Sequence, residues 1–168
     1  AAWQAGSDTL DTAISYGESE RVLGVQSMND WKVITKIPPV PEGIADVNEW
    51  VRNKFQASLD RLRVHSLYGL LVHQASQLEG PEGANIYRAI QNLKEDGLVR
   101  KIGVSVYNPE CIGPLIANYP LDLVQAPLNI LDRRLLSDQV LGRLKADGVE
   151  VHARSIFLQG ILLQPFDT

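Results

Sequence analysis

Short apolar runs of strand length recur along the chain, separated by amphipathic segments, and this alternation limits the possible folds more than any other feature. The runs are Thr9–Asp11, Trp31–Lys36, Leu67–His73, Lys101–Ser105, Leu121–Gln125 and Val149–Arg154. They are near-continuous rather than strictly alternating, which is the pattern of strands buried on both faces. Between them, Val47–Leu62 places Val47, Val51, Phe55, Leu59 and Leu62 on one helical face. Asn85–Lys94 does the same with Ile86, Ile90 and Leu93, and Val140–Leu144 continues the theme. Six strands with five intervening helices predict repeated βα units and a parallel sheet.

Two helix-to-strand junctions read as copies of one another: Leu93-Lys94-Glu95-Asp96-Gly97 and Leu144-Lys145-Ala146-Asp147-Gly148. In each, the glycine stands where a left-handed residue ends a helix. Ala5-Gly6 before the first strand is a weaker version. Pattern alone also admits a doubly wound open sheet of six strands. The polar residues favour a barrel. Asp11, Lys36, His73, Ser105, Gln125 and Arg154 each close their own apolar run. In a (β/α) barrel these ends converge on one face, where the active site lies.

Composition narrows the function. The 168 residues carry a formal net charge of −4, with Lys and Arg scattered rather than striped. That argues against nucleic acid as a partner. Nothing marks a second domain, so residues 1–168 read as a single partial barrel domain. Cys111 is the sole cysteine. An internal disulfide is therefore excluded, a metal site is not expected, and a reducing, cytoplasmic compartment fits. The opening residues have no positive region and no long apolar run, so neither a signal peptide nor a membrane span is expected.

Four residues suggest chemistry. Tyr16 lies in the loop after the first strand, and a tyrosine needs help to exchange protons near neutral pH. Lys36, on the next strand end, is placed to stabilise a phenolate and lower that pKa, and Asp11 to hold the Lys36 ammonium. His73, one strand further, is placed to polarise a carbonyl oxygen. The bland readings are that Tyr16 covers the barrel end, Asp11 caps a turn with Thr12, and Lys36 lies on the surface. His65 sits at the opposite end of the barrel and takes no role. His152, between Val151 and Ala153, is expected to face the helix layer as a structural residue.

The residues also carry a family signature. Asp11-Thr12-Ala13-Ile14-Ser15-Tyr16-Gly17-Glu18-Ser19-Glu20, then Leu23-Gly24, resembles the opening motif of the aldo-keto reductases. Thr35-Lys36, Ser58-Leu59-Asp60-Arg61-Leu62 and Leu70-Leu71-Val72-His73 match its next strands and helix. So do Arg100-Lys101-Ile102-Gly103-Val104-Ser105, Gln125 with Asn129-Ile130-Leu131-Asp132-Arg133, and Ser155 with Gln159-Gly160-Ile161-Leu162. The matches run in order along nearly the whole chain.

The resemblance implies an α/β fold of the (β/α)8 TIM-barrel type, here an incomplete barrel of about six strands. It implies a catalytic tetrad of Asp11, Tyr16, Lys36 and His73, with Tyr16 the general acid for reduction of an aldehyde or ketone. It implies NADPH or NADH as cofactor, its carboxamide held by Ser105 and Gln125, with Arg154 and Ser155 alongside. The absence of a GxGxxG turn agrees with the family's way of binding that cofactor. Two positions depart from the pattern. Val106 replaces a common asparagine, and Arg154 replaces an aromatic residue that stacks on the nicotinamide, a task open to a guanidinium plane.

Aligned on the family, the chain begins in the first helix and stops soon after the seventh strand. Open sheet edges then call for a cover, and a homo-oligomer is one candidate. The alternative reading is a truncated, weakly catalytic module that binds nucleotide or a partner.

Overall fold

The computed structural model describes residues 2–26, 28 and 30–165. Six strands form one sheet: β1 (Thr9–Asp11), β2 (Lys32–Ile37), β3 (Leu67–Val72), β4 (Val99–Ser105), β5 (Leu123–Pro127) and β6 (Glu150–Arg154). Their order is β1-β2-β3-β4-β5-β6, and every neighbouring pair is parallel. The intervening helices are α1 (Ser19–Gly24), α2 (Val47–Leu62), α3 (Gly83–Glu95), α4 (Ile112–Asn118) and α5 (Asp138–Ala146). Because the strand order never reverses, right-handed crossovers put all the helices on one face. A doubly wound sheet requires a reversal, so that alternative falls. The sheet is also curled: the Gln125 amide on β5 donates to the Asp11 carboxylate on β1 at 3.0 Å. The fold is an incomplete (β/α)8 barrel.

The apolar patterns sort into two cores. The outer one lies between strands and helices, where Val47, Val51, Phe55, Leu59 and Leu62 of α2 and Ile86, Ile90 and Leu93 of α3 are buried. The inner one fills the concave side with Ile34, Leu71 and Leu123, none of them solvent-exposed. Gly69 and Gly103 leave room for these side chains. A Cβ on Gly69 would lie 3.1 Å from Ile34, and one on Gly103 only 1.7 Å from the Leu123 carbonyl oxygen.

The twin junctions have twin geometry. Gly97 and Gly148 have φ of 74° and 69°. Leu98 N–H reaches back to the Leu93 carbonyl (3.0 Å), and Val149 N–H to that of Leu144 (2.9 Å). A third junction ends α2 in the same way without glycine: Arg63 takes φ 55°, and Val64 N–H returns to Leu59. Strand β5 starts at Leu123 rather than Leu121, since the Asp122 carboxylate binds Lys94 and takes the Ile102 N–H.

The lower half of the concave face is polar. Glu150 accepts hydrogen bonds from Tyr68 (2.7 Å) and Lys101, and also pairs with His152 (2.5 Å). His152 therefore lines the barrel interior, contrary to the expectation that it faces the helices. Glu150, His152 and Arg154 share one face by the two-residue period of a strand, while Val151 packs into the outer core. Among the described residues, no helix is long and apolar enough to cross a membrane.

Candidate active site

The loop from Asp11 to Glu18 carries Tyr16, and it is tied down from below. Glu20, at the start of α1, is almost fully buried. It accepts hydrogen bonds from Thr35 Oγ1 on β2 (2.7 Å), Ser58 Oγ on α2 and Arg61 Nε (2.7 Å). Arg61 NH2 adds an ion pair at 2.6 Å. Gly24, at the end of α1, lies against the Arg61 carbonyl so closely that a Cβ would sit 2.0 Å from its oxygen. Thr12 and Ser19 hydroxyls meet at 2.9 Å, closing the base of the loop.

Above this node, Lys36 is fully buried, and its ammonium has three oxygen partners. Nζ donates to both carboxylate oxygens of Asp11 (2.9 and 2.7 Å) and to the Thr12 carbonyl (2.8 Å). The same Nζ lies 5.2 Å from the centroid of the Tyr16 ring. The rings of Tyr16 and His73 meet edge to face, with centroids 5.7 Å apart. Asp11, Tyr16, Lys36 and His73 thus come together at one end of β1, β2 and β3.

The electrostatics differ from expectation at Tyr16. Burial, and then the charge of Asp11, push its hydroxyl above the usual tyrosine value, with Arg154 opposing. Lys36 does not lower it because the ammonium lies over the ring face and is already engaged by Asp11 and Thr12. Burial also pulls the Lys36 ammonium below the ordinary lysine value, against the attraction of Asp11. His73 is held below its usual value by burial, then by the charges of Lys36 and Arg154. At neutral pH the site therefore presents a phenol and a neutral imidazole.

The remaining strand-end residues form a second, connected group. Ser105, almost fully buried, donates from Oγ to Gln125 Oε1 at 3.2 Å. Gln125 in turn reaches Asp11. Arg154 NH1 donates to Ser105 Oγ at 3.2 Å. Gln125 is not quite a strand end, since β5 runs on through Ala126 and Pro127. Ser155 adopts φ 59°, and its carbonyl accepts from Asn129 Nδ2 at 3.3 Å. Val106 is buried and gives its N–H to the Gln125 carbonyl.

Tyr107 escaped the sequence reading. It is exposed, its ring stacks under the Arg154 guanidinium at 4.2 Å, and it lines a cavity of about 500 Å³ with Ser15, Pro39, His73, Gln74 and Ser76. Its only signal was an aromatic residue just past a strand end. Among the described residues, no cluster of His, Cys, Asp and Glu is suited to hold a metal ion.

A model of the Aldo/keto reductase family matches residues 1–168. An aldo-keto reductase of Mycobacterium sp. (strain JLS) is 33% identical over 169 residues, which cover 97% of this chain and 59% of that protein. The chain thus spans about three fifths of the length of that relative. Among solved structures, the holo form of an aldo-keto reductase from Bacillus halodurans aligns with TM-score 0.82 and 22% identity, over 99% of this chain and 58% of that one. An aldo-keto reductase of Bombyx mori, solved in complex with NADP, aligns with TM-score 0.68 and 22% identity, over 92% and 53%. At such identities these two structures speak to the fold.

Proposed function

This chain belongs to the aldo/keto reductase family, and on that premise we propose that it reduces an aldehyde or ketone by hydride transfer from NADPH or NADH, with Tyr16 as general acid. One observation carries the reading: Tyr16, His73 and the Asp11–Lys36 pair converge at one mouth of the barrel. Tyr16 is held as the phenol near neutral pH, so it has a proton to give the carbonyl oxygen as that oxygen gains charge. Neutral His73 offers a hydrogen bond to the same oxygen. Asp11 and the Thr12 carbonyl fix the Lys36 ammonium against the face of the Tyr16 ring.

The donor set fits a nicotinamide carboxamide. The Ser105 hydroxyl and the Gln125 amide meet at one point of the mouth, with Arg154 hydrogen-bonded to Ser105 and Ser155 next in the chain. When bound, the cofactor supplies the hydride. NADPH is the first choice because the Bombyx mori relative was solved with NADP. The chain acts on a small carbonyl compound, as one barrel domain of a cytoplasmic protein.

The test is nucleotide oxidation with a panel of aldehydes, run beside Tyr16→Phe. General acid catalysis is worth roughly 10²–10⁴-fold, so the variant should lose about that much in kcat. Equal rates would remove Tyr16 from the mechanism. A parallel titration follows tryptophan fluorescence from the Trp3–Trp31 pair. Saturable nucleotide binding without turnover would favour the binding-module reading instead.

A further inference from the structure

Strands β2 and β3 part beside the candidate site, and a single side chain joins their continuations again. The last ladder bond runs from the His73 N–H to the Ile37 carbonyl at 3.2 Å. Beyond it one segment continues as Pro38-Pro39-Val40-Pro41 and the other as Gln74-Ala75-Ser76-Gln77. The prolines have no N–H to offer a partner. Val40 is the exception, and Gln77 takes both of its backbone polar groups. The Val40 N–H donates to Gln77 Oε1 at 2.9 Å, and Gln77 Nε2 donates to the Val40 carbonyl at 2.8 Å. A carboxamide carries a donor and an acceptor side by side, as a peptide group does, so it replaces the next rung of the ladder. An ammonium cannot accept and a carboxylate cannot donate.

These bonds close a ring through Ile37, Val40, Gln77 and His73. Pro39, Gln74 and Ser76 lie within it and line the cavity of about 500 Å³, with His73 at the corner. The ring is anchored to the barrel from its other side. Val40, Ala75 and Leu78 are buried in the outer core, and Tyr119 Oη donates to the Leu78 carbonyl at 2.8 Å. Gln77 is only partly buried and does not itself line the cavity.

We propose that Gln77 is a positioning residue for the substrate: by clamping the Pro38–Pro41 segment to the loop after β3, it holds Pro39, Gln74 and Ser76 as one preformed wall beside His73. This rests on the reductase reading for the identity of that cavity as the substrate site. With the clamp released, the two loops move independently and a bound carbonyl compound must order them itself, which weakens binding. Asp11, Tyr16 and Lys36 lie outside the ring, and His73 keeps its own ladder bond to Ile37. The signature is therefore a rise in KM at constant kcat.

The test compares wild type with Gln77→Met, which keeps the side-chain length and removes both bonds. Two hydrogen bonds of ordinary net strength amount to about fivefold to a hundredfold in an equilibrium. KM for benzaldehyde at saturating NADPH should rise by that factor while kcat holds. Gln77→Glu keeps the acceptor but not the donor and should fall between. Val40 has the only backbone amide hydrogen in residues 38–41, so its exchange rate, read by NMR, reports the clamp directly. That exchange should accelerate by the same factor in Gln77→Met. Circular dichroism and the urea midpoint check the fold, and Gln77→Glu carries the comparison if Gln77→Met fails them. A lower kcat at constant KM would report lost folded protein and overturn the proposal. Faster Val40 exchange with both constants unchanged would overturn it too, as would unchanged exchange. A binding arm needs no turnover: titration with benzyl alcohol, followed at the Ser76 and Tyr107 amides. If benzaldehyde is not reduced but benzyl alcohol binds Gln77→Met more weakly by that factor, the reductase reading fails and the positioning role stands. If benzaldehyde is not reduced and benzyl alcohol binds neither protein, or both equally, the positioning role falls as well.

Discussion

Removing the Glu20 carboxylate should destabilise this protein more than most single substitutions. In Glu20→Ala, the Thr35 and Ser58 hydroxyls lose their acceptor. Glu20, Thr35 and Ser58 are all buried, at 2%, 0% and 0% exposure. Each stranded hydroxyl costs about 1–3 kcal/mol. Arg61 loses its counter-ion as well, but at 24% side-chain exposure it regains some hydration. Breaking a buried pair from one side costs roughly 3–5 kcal/mol, consistent with that sum. Against a total stability of about 5–15 kcal/mol for such a domain, this is roughly a fifth or more. With a urea m-value of about 2 kcal/mol/M, the midpoint should fall by about 1.5–2.5 M. Glu20→Gln, which keeps the volume and one acceptor oxygen, should fall between wild type and Glu20→Ala. Circular dichroism against urea at pH 7 measures all three. A drop below about 0.5 M for Glu20→Ala would mean that the node contributes little and that the Tyr16 loop is held by other contacts.

Gly24→Ala should also unfold the chain at lower urea, by at least about 2 kcal/mol, because the new Cβ meets backbone that cannot rotate away. An unchanged midpoint would refute the close packing of α1 on α2. Glu150 predicts an acid-labile component. Burial raises its carboxyl, but donors on Lys101, Tyr68 and His152 outweigh this and bring it from 4.5 to about 2. A depressed folded-state pKa stabilises fully above pH 4.5 and is lost as pH falls towards 2. Since its side chain is 29% exposed, solvent screening reduces the effect to about 1–2 kcal/mol. Glu150→Gln should therefore be less stable than wild type at pH 7 by that amount, and the gap should narrow at pH 3. A gap independent of pH would disprove it. For carbonyl reduction, Tyr16 should impose no basic limb on kcat/KM below pH 10 and His73 no acid limb above pH 6.5, because burial holds the first above its usual 10.0 and the second below 6.5. A limb below pH 10 matched by the Tyr16 phenolate absorbance, taken as wild type minus Tyr16→Phe, would refute that upward shift; a limb without that absorbance change reports the lowered Lys36 ammonium.

Local rules made much of this protein legible from its sequence. The near-continuous apolar runs identified the six strands, and the 3.6-residue stripe of Val47, Val51, Phe55, Leu59 and Leu62 located α2. Gly97 and Gly148 marked two helix ends because a left-handed residue without a Cβ carries little strain there. Residues at the same ends of parallel strands must come close in space, so Asp11, Lys36 and His73 could be grouped before any distance was known. What remained depended on contacts distant in sequence. Glu20, Thr35, Ser58 and Arg61 stood in recognised motifs, but only the packing of α1, β2 and α2 reveals that they form one charge node. The inward orientation of His152 follows from the strand phase, which Gln125 and Glu150 set through partners on other strands. The Tyr16 shift depends on desolvation and on where Lys36 directs its charge, neither of which a linear order contains. Arg154 read as a departure from a motif. Tertiary structure makes it a half-buried cation stacked on Tyr107 without a carboxylate partner among the described residues, because pairing depends on three-dimensional distance rather than residue type.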